Sequence, residues 1–318
     1  MLTRRKHRRQ RRRTRGRLRM LVGGGASKGK KGVEESTEAF GPLPGPNQCH
    51  PRIGSATPPD GCLPSEVLQT AARKLGLSMS GGAAGGRGQL LKRLAEHLKI
   101  PATNQRSILN ALPLADDQKK ELAQKWLRPP IPESWKSDPD MWLDSINIRD
   151  VMKQYEEARP DFKFLGPFPI DFAAADPNSK GKKECLIDEM CDLNLKEEAA
   201  KGKKHIGIIY NLDPHYKNGS HWVAGYINIP KKQCYYFDSY GMKPPRQIYK
   251  FMQWLTLQEP GLQLGWNGRE FQKSDSECGM YTMYFLDRMM NGEPYLKFCR
   301  RAPPDRFMLD LRDWMFST

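Results

Sequence analysis

The first 33 residues of this chain contain no aspartate or glutamate, yet they hold 14 lysines and arginines. Beyond them, 38 basic residues face 36 acidic ones. The formal net charge of +16 is therefore a property of the tail, and the body is close to neutral. Long apolar runs are missing as well. None approaches the ~18 residues that a membrane helix needs, so a soluble protein with no membrane partner is expected. Cysteine is sparse, with seven residues at irregular spacing. With no secretory signal at the start, that pattern reads as reduced intracellular thiols rather than a disulfide framework. The hydrophobic fraction of 38% is low for one uniform globule. A folded body with smaller accessory segments is the expected organisation.

Residues 4–19 read RRKHRRQRRRTRGRLR. Such a run repels itself and buries nothing, so it is expected to be disordered. Guanidinium forks suit phosphate, which makes Arg4, Arg5, Arg8, Arg9, Arg11, Arg12 and Arg13 candidate nucleic-acid contacts, or a nuclear address. Residues 22–64 are rich in Gly, Pro and Ser, so 1–64 as a whole reads as basic disordered tail and linker. From 65 to 128 a helical period takes over and predicts a small helical module. Ser65 suits an N-cap ahead of Val67, Leu68, Ala71, Ala72 and Leu75. Leu90, Leu91, Leu94 and Leu98 form a second stripe, and a third short helix is expected over 116–127. Between the first two helices, GGAAGGRG lacks the Lys-Ser/Thr of a phosphate loop and follows no strand. Cys49, His50 and Cys62 offer three candidate metal ligands at irregular spacing, too few to predict a zinc site.

Pro129, Pro130 and Pro132 mark the next boundary, and 135–318 reads as one α+β domain. A helix is expected through 144–157. The segments 205–213, 220–229 and 233–239 read as three strands rich in Ile, Val, Tyr and Phe. Pro244 and Pro245 open a helix carrying Ile248, Phe251, Met252 and Leu255. A last clear helix begins at Cys278 and stops at Gly292.

The short Pro230-Lys231-Lys232 connection makes the second and third strands an antiparallel hairpin. His221 near the start of one and Asp238 near the end of the other then lie at the same end of the sheet. A carboxylate beside an imidazole fixes its tautomer and favours its charged form. Cys278 sits where a loop turns into a helix, and a helix N-terminus favours an anion such as a thiolate. Gln272, six residues earlier, can supply a side-chain amide to an oxyanion beside the backbone N–H of Cys278. Such a donor contributes roughly 2.7–4 kcal/mol. Gly279 is expected to leave space for a substrate backbone. Each residue alone has a bland structural reading; their joint order and spacing point to a nucleophile, a base, an orienting acid and an oxyanion donor.

His221-Trp222, Asp238-Ser239 and Gln272 with Glu277-Cys278-Gly279 resemble the adenain-like and SUMO-protease-like cysteine peptidases. The family's order is His, Asp or Asn, Gln, Cys, and the same order holds here. The resemblance covers about 135–318. It is nearest in look to maturation proteases of large DNA viruses of the African swine fever virus type, through MWLDSINIRDVMKQYEEARPDFKFLGPFPIDF and YFDSYG. QCHPRIG and GCLPSEVLQTAARKLG are similar to a module that precedes such viral peptidases. The resemblance implies a papain-like-clan fold, a central mixed β-sheet flanked by helices, and no cofactor. It implies that Trp142 and Trp222 cover a narrow channel for a Gly-Gly tail. Glu277 departs from the Asp that SUMO proteases place before the cysteine, and Trp-Leu-Asp-Ser lacks the Asn-Asp of their entry motif.

The expected activity is a cysteine endopeptidase cleaving after glycine in Gly-Gly-X sites of viral polyprotein or capsid precursors during virion assembly. The expected setting is the virion and host cytoplasm, or alternatively the nucleus. A SUMO or ubiquitin-like-protein protease is the second reading. A virion packaging protein that holds DNA through the tail is a third, and acetyl transfer by the same residues a fourth.

Overall fold

The computed structural model describes residues 20–23, 48–54, 60–77, 86–176 and 185–318. Strand β1 (Met20–Gly23) comes first, followed by α1 (Ser65–Lys74), α2 (Arg87–Leu98), α3 (Gln105–Ala111) and α4 (Asp116–Trp126). The larger body opens with α5 (Ser145–Ala158) and β2 (Phe162–Pro169). Two short helices, α6 (Asp188–Cys191) and α7 (Leu195–Ala200), lead to β3 (His205–Asn211), β4 (Trp222–Asn228) and β5 (Gln233–Phe237). The chain then runs through α8 (Arg246–Gln258), β6 (Gln263–Asn267), α9 (Cys278–Met290), α10 (Tyr295–Arg300) and α11 (Asp305–Met315).

The strands form one mixed sheet in the order β1-β6-β5-β4-β3-β2. β3, β4 and β5 pair antiparallel, with a short turn between β4 and β5, while β2, β6 and β1 join in parallel. β4 lies in the middle, and every one of its residues is buried. Its alternation feeds two cores. Trp222, Ala224 and Tyr226 face one with Ile148, Cys278, Phe285 and Leu311. Val223 and Ile227 face the other with Ile248, Phe251 and Met190. So α5, α9, α10 and α11 cover one face of the sheet, and α6 and α8 the other.

The helical module has its own core, built on Leu68, Leu91, Leu94, Ile108, Leu109 and Leu127. It extends further back than the boundary at 65. Cys49 bridges to Leu127, His50 N–H donates to the Trp126 carbonyl at 2.9 Å, and Arg128 N–H donates to Gln48 O at 2.8 Å. These residues were expected to be linker; their backbone instead pairs with the end of α4. Met20–Gly23, also within the stretch expected to be tail and linker, pairs with Leu264–Asn267 and covers the open edge of β6. At α1 the N-cap position is Pro64, and Ser65 is the first helical residue.

The thiols also differ from expectation. Cys49–Cys62 and Cys185–Cys191 are disulfides, and only Cys234, Cys278 and Cys299 are free. Both bridges close short loops, spanning 13 and 6 residues, inside a set whose odd total hid the pairing. The first bridge uses the two cysteines weighed above as metal ligands, while His50 Nε2 lies 3.2 Å from Glu157 Oε2. Among the described residues, no helix is long and apolar enough to cross a membrane.

Candidate active site

His221 immediately precedes β4 and Asp238 immediately follows β5, so the hairpin brings them to one end of the sheet. His221 Nε2 and Asp238 Oδ1 are 2.8 Å apart. That leaves Nδ1 as the ring nitrogen not engaged by Asp238, and Cys278 is near enough to act on the imidazole electrostatically. Burial works against charge on this ring. The hydrogen bond to Asp238, together with the influence of Cys278, outweighs it and raises the His221 pKa to about 9.

Asp238 is buried and serves two partners through one oxygen. Oδ1 also accepts the Tyr240 N–H at 2.8 Å, an Asx turn that fixes the carboxylate before the histidine meets it. Asn267 at the end of β6 holds the Asp238 backbone on both sides. Its Oδ1 accepts the Asp238 N–H at 2.9 Å and its Nδ2 donates to the Asp238 carbonyl at 2.6 Å. The turn closes with Gly241 N–H donating to the same carbonyl at 2.8 Å. Gly241 has φ +73°, and a Cβ there would stand 2.7 Å from the Arg269 backbone, so glycine is required.

Cys278 is the first residue of α9, 2% exposed and in contact with the core on the α9 face. The N-cap residue, Glu277, makes no side-chain cap. Its carboxylate is engaged instead by Arg312 of α11, with Nε 3.1 Å from Oε2 and Nη2 on Oε1. The first-turn N–H groups, which have no intrahelical acceptor, therefore remain uncapped by that side chain and available to an anion. Arg312 is itself stacked on Trp135, 4.1 Å from the ring centroid.

Gln272 is fully buried. Ser239 Oγ–H donates to its Oε1 at 2.7 Å, and its Nε2 donates one hydrogen to the Ser274 carbonyl at 2.7 Å. Its backbone N–H also donates to the Ser239 carbonyl, tying the loop before the cysteine to the turn after Asp238. Asp305 at the start of α11 accepts the N–H groups of Lys273 and Ser274 at 3.0 and 2.8 Å.

Trp222 is buried, and its indole N–H donates to the Leu143 carbonyl at 2.9 Å, while Trp142 stands 42% exposed next to that anchor. Gly279 does not open onto substrate space. A Cβ there would lie 3.2 Å from Leu143 Cβ and 3.4 Å from Ile148 Cδ1, so the missing side chain admits the start of α5. Arg4, Arg5, Arg8, Arg9, Arg11, Arg12 and Arg13 lie outside the described residues. Tyr240, Asn267, Asp305 and Arg312 escaped the sequence reading. Only Tyr240, two residues after the acid, carried a local signal; the rest arrive from distant segments.

Residues 170–309 match the Ulp1 protease family, C-terminal catalytic domain. A thiol protease of Acanthamoeba polyphaga mimivirus is 32% identical over 159 residues, which is 48% of this chain and 49% of that protein. A SUMO-1 cysteine protease of African swine fever virus is 26% identical over 118 residues, 35% of this chain and 43% of that protein. The chain thus spans about half the length of the curated relatives it matches. In the solved structures, an African swine fever virus protease superposes with a TM-score of 0.56 at 16% identity, covering 86% of this chain and 96% of that one, which shows a shared fold.

Proposed function

We propose that this chain, whose residues 170–309 match the Ulp1 protease family, C-terminal catalytic domain, is a cysteine endopeptidase working through Cys278, His221, Asp238 and Gln272. The observation that carries the reading is the 2.8 Å contact of His221 Nε2 with Asp238 Oδ1, on a ring whose pKa is raised also by Cys278, the first residue of a helix. A raised imidazole pKa favours the imidazolium–thiolate pair at neutral pH. The thiolate attacks the scissile carbonyl carbon, a C–S bond forms, and the oxygen takes the negative charge. The Cys278 N–H and the remaining Gln272 amide hydrogen receive that oxyanion. As the C–N bond breaks, His221 gives its proton to the leaving amine. Water then attacks the thioester with His221 as base, and the acid product and thiolate separate. Asp238 holds the ring throughout.

The preferred substrate is a Gly-Gly-X site in viral structural precursors, processed during virion assembly in the virion and host cytoplasm. Two relatives encoded by large DNA viruses and named as thiol or cysteine proteases support a viral protease role. A glycine preference follows if Trp142 and Trp222 together close a channel too narrow for a Cβ. Cleavage of SUMO-like conjugates is the second reading, favoured by the printed name of the African swine fever virus relative. The basic tail would hold DNA beside the enzyme. The test is turnover of a Gly-Gly-X precursor peptide and a SUMO-tailed conjugate by the wild type and by Cys278→Ala. Cleavage after glycine that vanishes in Cys278→Ala is expected. An active Cys278→Ala enzyme refutes the catalyst, and turnover of the SUMO conjugate alone refutes the substrate.

A further inference from the structure

Between the helical module and the peptidase-like body lies a cleft of about 880 Å³, lined by none of Cys278, His221, Asp238 or Gln272. α3 and α4 form one wall and α5 the other, with Arg128 and Pro129 between them. Seven basic and four acidic side chains line it, a local excess in a body that is otherwise near neutral. Arg128 is 1% exposed, and its guanidinium is flanked by Tyr155 and Trp314, at 5.0 and 5.5 Å from their ring centroids. Its Nε and Nη1 have no hydrogen-bond partner among the described residues, nor do Gln154 Oε1 and the Tyr155 hydroxyl, and the buried Asp287 carboxylate acts on the guanidinium by charge without a hydrogen bond. Buried groups of this kind are normally satisfied, and a buried guanidinium above all needs an acceptor.

We propose that this cleft binds a small phosphate-rich anion, with Arg128 as the buried anchor and Lys119 and Lys153 on the rim. Phosphate oxygens match the planar guanidinium fork, and the cleft has the volume of a small-molecule site rather than a duplex groove. Lys119 lies 3.8 Å from the fully exposed Asp116, a pair that contributes little by itself, and Lys153, itself half exposed, lies 2.7 Å from the partly buried Glu156. Arg106 is already committed, to Ser317 Oγ and the Arg128 carbonyl, and serves to hold the anchor in place. A ligand there would touch both the module and the body.

Inorganic tripolyphosphate is the probe, titrated calorimetrically into the full chain at physiological salt. The wild type should show one saturable site and a rise in thermal midpoint. Lys119→Ala/Lys153→Ala, a surface change, should weaken binding by about tenfold or more, and Arg128→Met further still. If Arg128→Met fails to fold, the double-lysine variant decides. No saturable binding to the wild type overturns the site. Equal binding by the wild type and the double variant also overturns it, because the basic run at 4–19 would then be the binder.

Discussion

The ring of Tyr240 lies stacked on the imidazole of His221, centroids 4.8 Å apart and planes 27° from parallel. Tyr240 also donates its N–H to Asp238 and its hydroxyl to the Ser274 carbonyl at 3.3 Å. One residue thus spans base, acid and the loop that carries Gln272, through its ring, its backbone N–H and its hydroxyl. Such ring pairs contribute about 0.5–1.5 kcal/mol. Tyr240→Ala should therefore lower kcat by up to about tenfold with a smaller change in KM, whereas Tyr240→Phe keeps most of the rate. Steady-state kinetics on a Gly-Gly-X peptide checks this, and equal losses in both variants would refute a role for the stack.

The pH dependence follows from His221. Burial lowers its pKa, but Asp238 and Cys278 raise it from 6.5 to about 9. A group raised on folding contributes its full stability below about 6.5 and loses it as pH rises through about 9. The charged ring needed beside a thiolate is lost over the same window. The rate should hold through neutral pH and fall above about 9. Asp238→Asn removes the strongest of the raising contacts and should shift that fall to lower pH while leaving measurable turnover. A limb that stays in place would show that Asp238 does not set it.

Alkylation should single out one thiol. Burial pushes Cys234 up to about 12 and Cys299 up to about 11, so both remain protonated at neutral pH. Iodoacetamide at pH 7 is expected to modify Cys278 first, with loss of activity in step with labelling. Peptide mass mapping reads this directly.

The Glu277–Arg312 pair is buried on both sides. Burial pushes the Glu277 carboxyl up, against the pull of Arg312. Arg312→Met leaves that carboxylate without its partner and should cost about 3–5 kcal/mol in urea unfolding. Glu277→Met combined with Arg312→Met should be closer to the wild type than Arg312→Met alone. An additive double variant would mean that the pair does not act as one unit.

Packing at α9 gives a separate check. Gly279→Ala inserts a methyl against Leu143 and should lower stability by about 1–3 kcal/mol. Urea unfolding measures it.

Residues whose chemistry is local were readable in the sequence. His221 and Asp238 flank a hairpin, and Cys278 opens a helix with a sharp stop, so strand and helix periods place all three. β2 was not readable, because Gly166, Pro167 and Pro169 interrupt it; an edge position tolerates them. β6 is five residues with a glycine inside, too short for a period to emerge. Asn267, Asp305 and Arg312 act across long sequence separations that no local pattern encodes. Gly279 was misread because a small residue beside a nucleophile looks the same whether substrate or a neighbouring helix takes the space.

Helix α11 reaches in two directions. Asp305 and Arg312 grip the loop before Cys278, while Ser317, just beyond its end, exchanges backbone hydrogen bonds with Pro129 and Ile131, and Thr318 accepts the Arg106 N–H of α3. The accessory module and the nucleophile therefore lean on one shared strut. Loosening that strut would open both at once. In native-state hydrogen exchange, the amides of α3 and those of the 272–278 loop should share a single opening free energy, although their own residues are far apart along the chain.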